Sequence, residues 1–244
     1  MPKLQGYPGY RNLMKPQAFE PKFGLFITDF IQVIKQNSNT NLNNHLVVSP
    51  YNEEPHLLDL RTLDIPNQLL AKALVGLTCL RDDYSTAPYV EIFNWSEVID
   101  SLKGLSINSG CDWKETTFYI VVFRSRIPPT TVYSDLGILD KAAHAEATKS
   151  GGFLKYVNLI LFLLFSPQVL TWGSRYWFGS PDEHGRNLAT CVWRNQEDAR
   201  TGSVGEAHRR AAGATRLLYT EWRIERLRLV IEDDVKGWSI NQWD

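Results

Sequence analysis

Alternating and β-branched segments predict strands in the second half of the chain. Thr117 to Ile127 is rich in β-branched and aromatic residues and stops before a Pro-Pro pair, which is typical of a strand. Ile224 to Glu232 alternates with a period of two, so every second side chain shares one face of a sheet. Shorter strand patterns cover Phe153 to Tyr156, Tyr176 to Gly179, and Asn187 to Arg194.

Two helices are predicted between these strands. Ser134 can cap a helix from Asp135 to about Lys149, and the Gly-Gly pair at 151–152 supplies a left-handed stop. Asn195 can cap a second helix, which breaks near Gly202 and continues from about Glu206 to Trp222. Its expected buried residues are Ala211, Ala212, Leu217, Leu218 and Trp222.

The resulting order is β-α-β-β-α-β, the ferredoxin-like arrangement of an α+β protein. Both helices then lie on one face of an antiparallel sheet, and the other face must be covered. Two subunits packed sheet to sheet would give a dimeric α+β barrel with a cavity between them. Part of the N-terminal region is the alternative cover. Residues 236–243 are expected to add a short terminal strand.

The N-terminal half is less regular. Residues 1–56 are predicted to be an irregular, partly helical extension, because Gly and Pro punctuate their start and a polar tract covers 36–44. Residues 57–116 are predicted to be a helical part that packs on the main domain, residues 117–244. Leucines share one face over 68–77, and Asn94 with Glu97 has the pattern of a capping box.

Composition and charge narrow the functional classes. The 244 residues carry a net charge of −1, so we expect no nucleic-acid partner. The apolar run at 157–165 is about half of the roughly 20 residues that a spanning helix needs, so we expect no membrane partner. Three distant cysteines and an N-terminus without a signal-peptide pattern predict a cytoplasmic, intracellular protein with reduced thiols.

Known motifs give no catalytic assignment. The sequence has no phosphate-binding glycine loop, no nucleophile elbow and no zinc-protease spacing of histidines, so no cofactor and no metal are expected. Asp140 and His144 stand four residues apart on the predicted first helix. That spacing can serve a metal but is more often a solvated contact.

An aromatic set on the predicted sheet is the main candidate site. Aromatic walls with a few polar groups suit a small-molecule pocket, yet Trp, Tyr and Arg also concentrate in dimer interfaces. Ordinary core packing is the third interpretation. The candidate pocket or interface residues are Tyr119, Phe123, His144, Trp177, Trp193, Arg194 and Arg228.

Three longer sequence motifs are informative when they are considered together. They are Pro-Asn-Gln-Leu-Leu-Ala-Lys-Ala-Leu at 66–74, Ser-Gly-Gly-Phe-Leu-Lys-Tyr at 150–156, and Gly-Arg-Asn-Leu-Ala-Thr-Cys-Val-Trp-Arg at 185–194. Taken together these motifs resemble the UPF0643 family of uncharacterised fungal proteins. The resemblance covers residues 57–244 and implies no catalytic residues.

One segment departs from that family pattern. The family motif reads Gly-Gly-x-Leu-Lys-Tyr-Trp-Phe-Gly without interruption, whereas here the 20 residues Val157 to Tyr176 separate Tyr156 from Trp177. Twenty codons make 60 nucleotides, so an intron retained in frame would account for the insertion. A lineage-specific loop is the alternative.

Two functional classes follow from these features. The first is a non-enzymatic interaction or scaffolding protein with a ferredoxin-like domain, which could be a homodimer. The second is a small-molecule enzyme or binder resembling cofactor-independent monooxygenases of the dimeric α+β barrel type, by analogy of fold alone. A closed aromatic cavity with a buried His or Arg would favour the second class. A filled sheet face would favour the first.

Overall fold

The computed structural model describes residues 44–131, 133–158 and 181–243. Within these ranges the strands are β1 (His45–Val47), β2 (Leu57–Asp59), β3 (Thr116–Arg126), β4 (Phe153–Asn158), β5 (Arg186–Trp193), β6 (Glu221–Ile231) and β7 (Trp238–Gln242). The α-helices are α1 (Ile65–Ala73), α2 (Tyr89–Ile92), α3 (Trp95–Ser109), α4 (Tyr133–Ser150), α5 (Gln196–Gly202) and α6 (Glu206–Leu218). The strand pattern predicted at 176–179 lies outside the described residues.

Five strands form one antiparallel sheet in the order β4-β5-β3-β6-β7. The strands of the unit β3-α4-β4-β5-α5/α6-β6 have the ferredoxin-like spatial order, with its first and third strands in the centre. The predicted fold class is therefore confirmed. The predicted terminal strand is β7, which extends the sheet at the β6 edge. β1 and β2 pair separately as a two-stranded ribbon.

The end of the first predicted helix and the start of the second follow the expected local chemistry. Gly151 and Gly152 have φ angles of 87° and 71°, so both adopt the left-handed conformation that stops α4. The Asn195 side chain accepts a hydrogen bond from the Asp198 N–H at 2.8 Å and caps α5. The predicted break after Gly202 separates α5 from α6.

The prediction for the second half of that helical region is wrong in two respects. α6 ends at Leu218, and Trp222 belongs to β6. No residue of α6 is buried, and Leu217 is 85% exposed, so Ala211, Ala212, Leu217, Leu218 and Trp222 are not core residues. α6 packs along α4, and this contact leaves its own side chains at least partly exposed. At the start of α6 the Glu146 carboxylate of α4 accepts hydrogen bonds from the N–H groups of Ala207 and His208.

The predicted helix after Asn94 is present, but Asn94 does not cap it. Its side-chain oxygen accepts a hydrogen bond from the Thr78 N–H at 2.7 Å, and its amide donates to the Gly76 carbonyl and to Glu97. Asn94 therefore ties the start of α3 to the turn after α1. The helix runs to Ser109 and ends at Gly110, which has a φ of 66°.

The apolar run at 157–165 lies outside the described residues except for its first two, which end β4. Among the helices in the described ranges, none has both the length and the apolar character needed to cross a membrane. All three cysteines are free thiols, with Cys191 buried and the other two half-buried.

Candidate functional site

The sheet face opposite α4 is covered by the helical part that precedes β3. We call it the covered face; the other side, against α4 and α5, is the helix face. The Tyr89 hydroxyl lies 2.9 Å from Thr190 Oγ1 of β5, and the Trp113 ring packs 6.4 Å from that of Phe118. The buried apolar sheet residues on the covered face include Phe118, Ile120, Val122, Leu188, Val192, Leu227, Leu229 and Ile231.

Arg124 fixes the loop before α2 on the covered face. Its Nε donates to Glu225 Oε1 at 2.8 Å, while its two terminal nitrogens donate to the carbonyls of Tyr84, Ser85 and Ala87 at 2.7–3.1 Å. The Arg124 and Glu225 side chains are only 14% and 11% exposed. All three carbonyls thus depend on one guanidinium, a planar donor suited to several acceptors at once.

A second cluster of polar side chains is buried on the helix face, and we call it the polar cluster. The hydroxyls of Tyr51 and Tyr156 both donate to the Asp140 carboxylate, the former at 2.6 Å. His56 Nδ1 lies 2.9 Å from His144 Nδ1. The aromatic rings also pack together, with Tyr51, His56 and His144 ring centroids 4.8–5.2 Å apart.

Three segments bring the polar cluster together. Asp140 and His144 are one turn apart on α4, so they present side chains to the same neighbours. Tyr156 comes from β4, while Tyr51 and His56 come from the segment before β2. His144 is 5% exposed, so the expected solvated contact between Asp140 and His144 is wrong.

Burial dominates the electrostatics of the polar cluster. Desolvation raises the pKa of the Asp140 carboxyl, and the pKa values of the Tyr51 and Tyr156 phenols rise as well. Burial, then the charges of His56 and His208, lower the pKa of His144 to about 3. Desolvation also lowers the pKa of His56. Both histidines are therefore neutral at pH 7, with one Nδ1 donating to the other.

One atom of the polar cluster is free to bind something else. His144 Nε2 is buried and has no hydrogen-bond partner among the described residues. Such a nitrogen can accept from or donate to a small molecule. Within the described ranges no three His, Cys, Asp or Glu side chains are grouped so that they could hold a metal ion.

Four of the sequence-predicted site residues belong to strands and point to the helix face. Tyr119 stands between Trp193 and Arg228 in the register of adjacent strands. The Trp193 ring packs 4.8 Å from Phe153, and the Tyr119 ring packs 4.9 Å from Trp243. The fourth residue is Phe123, which stacks on Trp222 at 5.5 Å.

The other predicted site residues are dispersed. His144 belongs to the polar cluster, Arg194 forms an ion pair with Asp198 at 2.6 Å, and Trp177 lies outside the described residues. The two grooves that we describe on the surface, of about 780 and 790 Å³, are not lined by any of the predicted residues. The assignment of the predicted site residues to a pocket or an interface stays a prediction.

Comparison with known proteins assigns this chain to a family. A family model described as PB2B2.08-like matches residues 47–159 and 174–242. The chain belongs to the PB2B2.08-like family. The UPF0643 protein PB2B2.08 of Schizosaccharomyces pombe is 34% identical over 203 residues, which are 80% of this chain and 82% of the relative. The resemblance seen in the sequence motifs is therefore confirmed.

Solved structures show a likeness to part of this PB2B2.08-like chain. The cofactor-independent oxygenase SnoaB from Streptomyces nogalater is 14% identical with a TM-score of 0.30, covering 47% of this chain and 91% of SnoaB. A putative antibiotic biosynthesis monooxygenase from Nitrosomonas europaea is 10% identical with a TM-score of 0.32, covering 52% and 89%. At these identities the likeness concerns the fold alone.

The PB2B2.08-like match has a gap within the proposed insertion. Its two parts leave residues 160–173 between them. In the described structure β4 continues for two residues into the insertion, with Val157 opposite Thr190 and Asn158 opposite Ala189. Without the insertion, Trp177 and Phe178 would follow Tyr156 directly and take these two positions.

Sequencing of cDNA from the source organism tests the retained-intron hypothesis. We expect a transcript that lacks the 60 nucleotides encoding Val157 to Tyr176 and joins the codons of Tyr156 and Trp177 in frame. Genomic DNA amplified with the same primers is the control for length. A transcript population that retains all 60 nucleotides would instead make the segment a loop of this chain.

Proposed function

We propose that this PB2B2.08-like protein is a cytoplasmic, non-enzymatic interaction protein. The observation that supports the proposal is the covered face. A cavity between two sheets needs a free sheet face on each subunit, and here Tyr89 and Trp113 of the same chain pack on that face. The helical part also makes a dimer unnecessary for burying the sheet, because its own side chains shield the apolar residues from water.

The anchoring of the helical part supports the same proposal. Exposing the covered face would break the hydrogen bonds of Arg124 to Glu225 and to the loop carbonyls. It would also expose side chains such as Trp95, which is 1% exposed. Both changes cost free energy, so a ligand would have to offset them before it could bind between the helices and the sheet.

A small-molecule enzyme or binder is the second candidate function, and the polar cluster favours it. Burial raises the pKa of the Asp140 carboxyl, which two phenols hold by hydrogen bonds. His144 Nε2 is buried in the polar cluster and lacks a hydrogen-bond partner in the part of the chain that the structure describes. In this function the cluster would bind a small polar molecule and act as an acid–base group.

A thermal-unfolding screen with aromatic ligands and haem distinguishes the two functions. A ligand at 100 times its dissociation constant stabilises the folded state by about 2.7 kcal/mol, which moves the melting temperature measurably. We expect no saturable rise in melting temperature for the wild-type protein. A saturable rise would contradict the proposed function. Its loss in His144→Phe, compared with the exposed-site control His184→Gln, would assign that ligand to the polar cluster.

A further inference from the structure

An open groove of about 780 Å³ lies beside the covered face. It runs from the loop before α2 across the ends of β3 and β6 to β7. Part of its lining is apolar and includes Tyr89, Trp222, Leu227 and Ile240. The remaining wall is polar and includes charged residues of β3, β5 and β6.

Arginines predominate at one end of the groove. Arg124, Arg186 and Arg223 line this end. The strand register places Arg124 opposite Arg223, and Arg186 opposite Arg126, which lies beside the groove on the same covered-face side. Glutamates offset only two of these charges. Glu221 pairs with Arg126 at 3.0 Å, and Glu225 pairs with Arg124 at 2.8 Å and with Arg223 at 3.5 Å.

The two remaining cations are available to a ligand. Arg223 is 73% exposed and shares a carboxylate that Arg124 already binds. The Arg186 guanidinium has no ion pair within the described part of the chain, although its N–H donates to Asp182. The Asp182 carboxylate also accepts hydrogen bonds from Ser85 and from the His184 N–H. Like charges facing each other across strands are unfavourable, so an anionic ligand would relieve their repulsion.

The other end of the groove carries an open strand edge. The Trp243 N–H donates to Arg226, and the Glu232 N–H donates to Gly237, both at 2.9 Å. By the alternation of an antiparallel ladder, the N–H and C=O groups of Ile240 and Gln242 therefore point away from β6. Within the described residues β7 has no neighbour on that outer side. Unpaired groups of an edge strand can pair with an extended segment of another chain.

We propose that this groove binds an extended segment of a partner protein that is apolar at one end and acidic at the other. The proposal rests on the proposed interaction function and names its surface. The partner's main chain pairs with the outer edge of β7 at Ile240 and Gln242. Its apolar end contacts the Tyr89 and Leu227 side of the groove, and the carboxylates of its acidic end bind Arg223 and Arg186. Main-chain pairing supplies affinity, while the groove supplies specificity.

Fluorescence anisotropy with a labelled peptide that has a valine half and a glutamate half tests the proposal on the full chain. We expect saturable binding, and no binding of the matching valine–lysine peptide. Arg223→Glu and Arg186→Glu are each expected to weaken binding at least 10-fold. Arg216→Glu, on the exposed side of α6, is the charge-matched control and is expected to change it less than twofold. Gln242→Pro removes an outward N–H and is expected to weaken binding, whereas Gln242→Ala is not.

Three results would overturn the groove assignment. These are no binding of the valine–glutamate peptide, equal binding by the wild-type protein and Arg223→Glu, or competition for the groove by an oligouridine. Arg223 is exposed, so Arg223→Glu stays folded even if Arg186→Glu does not. If the peptide does not bind and the thermal-unfolding screen also finds no ligand, the groove assignment is wrong but the proposed interaction function stands. A saturable ligand shift contradicts that function independently of the peptide.

Discussion

Replacement of Arg124 by methionine is expected to lower the free energy of unfolding by about 3–5 kcal/mol. The substitution leaves the Glu225 carboxylate, which is 11% exposed, without its main cation. It also removes the donors to the carbonyls of Tyr84, Ser85 and Ala87. Buried acceptors without partners and unpaired buried charges are costly because water no longer solvates them. Urea unfolding followed by tryptophan fluorescence measures the change.

Arg126→Met is the matched control for this prediction. Arg126 lies two residues away on the same strand, but the Arg126–Glu221 pair is 43% and 55% exposed. Solvent screens such a pair, so we expect a loss below about 1 kcal/mol. Arg124→Met with Glu225→Leu should recover part of the lost stability, because no unpaired charge remains. Equal losses in Arg124→Met and Arg126→Met would contradict the anchoring role of Arg124.

The second large effect is expected in the pH dependence of stability. The pKa of His144 is lowered to about 3 by burial, so the unfolded chain binds a proton more readily than the folded chain. The stabilising contribution of neutral His144 is therefore complete above about pH 6.5, the usual histidine pKa. It is lost as the pH falls towards 3. Each pH unit in this window costs about 1.4 kcal/mol per proton.

His144→Phe isolates this contribution. Phenylalanine can keep the ring contacts with Tyr51, Phe153 and Tyr156 but has no proton to bind. We expect urea midpoints measured from pH 7 to pH 4 to fall less steeply for His144→Phe than for the wild-type protein. His184→Gln, an exposed-site control, should keep the wild-type slope. The Asp140 carboxyl has a raised pKa and contributes with the opposite sign, its stabilisation decreasing as the pH rises. Identical slopes for wild type and His144→Phe would contradict the buried state of His144.

The sheet could be predicted because strand periodicity is a local signal. Leu227, Leu229 and Ile231 alternate in sequence, and all three are buried on one face. The same kind of argument failed for α6. A helical pattern shows which side chains share a face, but not whether another element covers that face. Leu217 is on a helix that packs along α4 and stays exposed.

The candidate site depends on contacts that the sequence does not encode locally. The spacing of Asp140 and His144 was visible, yet their partners Tyr51 and His56 are 89 and 88 residues away. Arg124 was equally hidden, because its acceptors include backbone carbonyls, which every residue has. Its signal in the sequence is a charged residue inside an apolar strand pattern.

The central claim is that the helical part before β3 covers the sheet of its own chain. Isotope-edited NOE spectra of a mixture of ¹³C-labelled and unlabelled protein test it most directly. We predict contacts between the Tyr89 ring and the Thr190 methyl group within one chain, because the two hydroxyl oxygens are 2.9 Å apart. Contacts from Thr190 to sheet residues of a second copy, with none to Tyr89, would contradict the account.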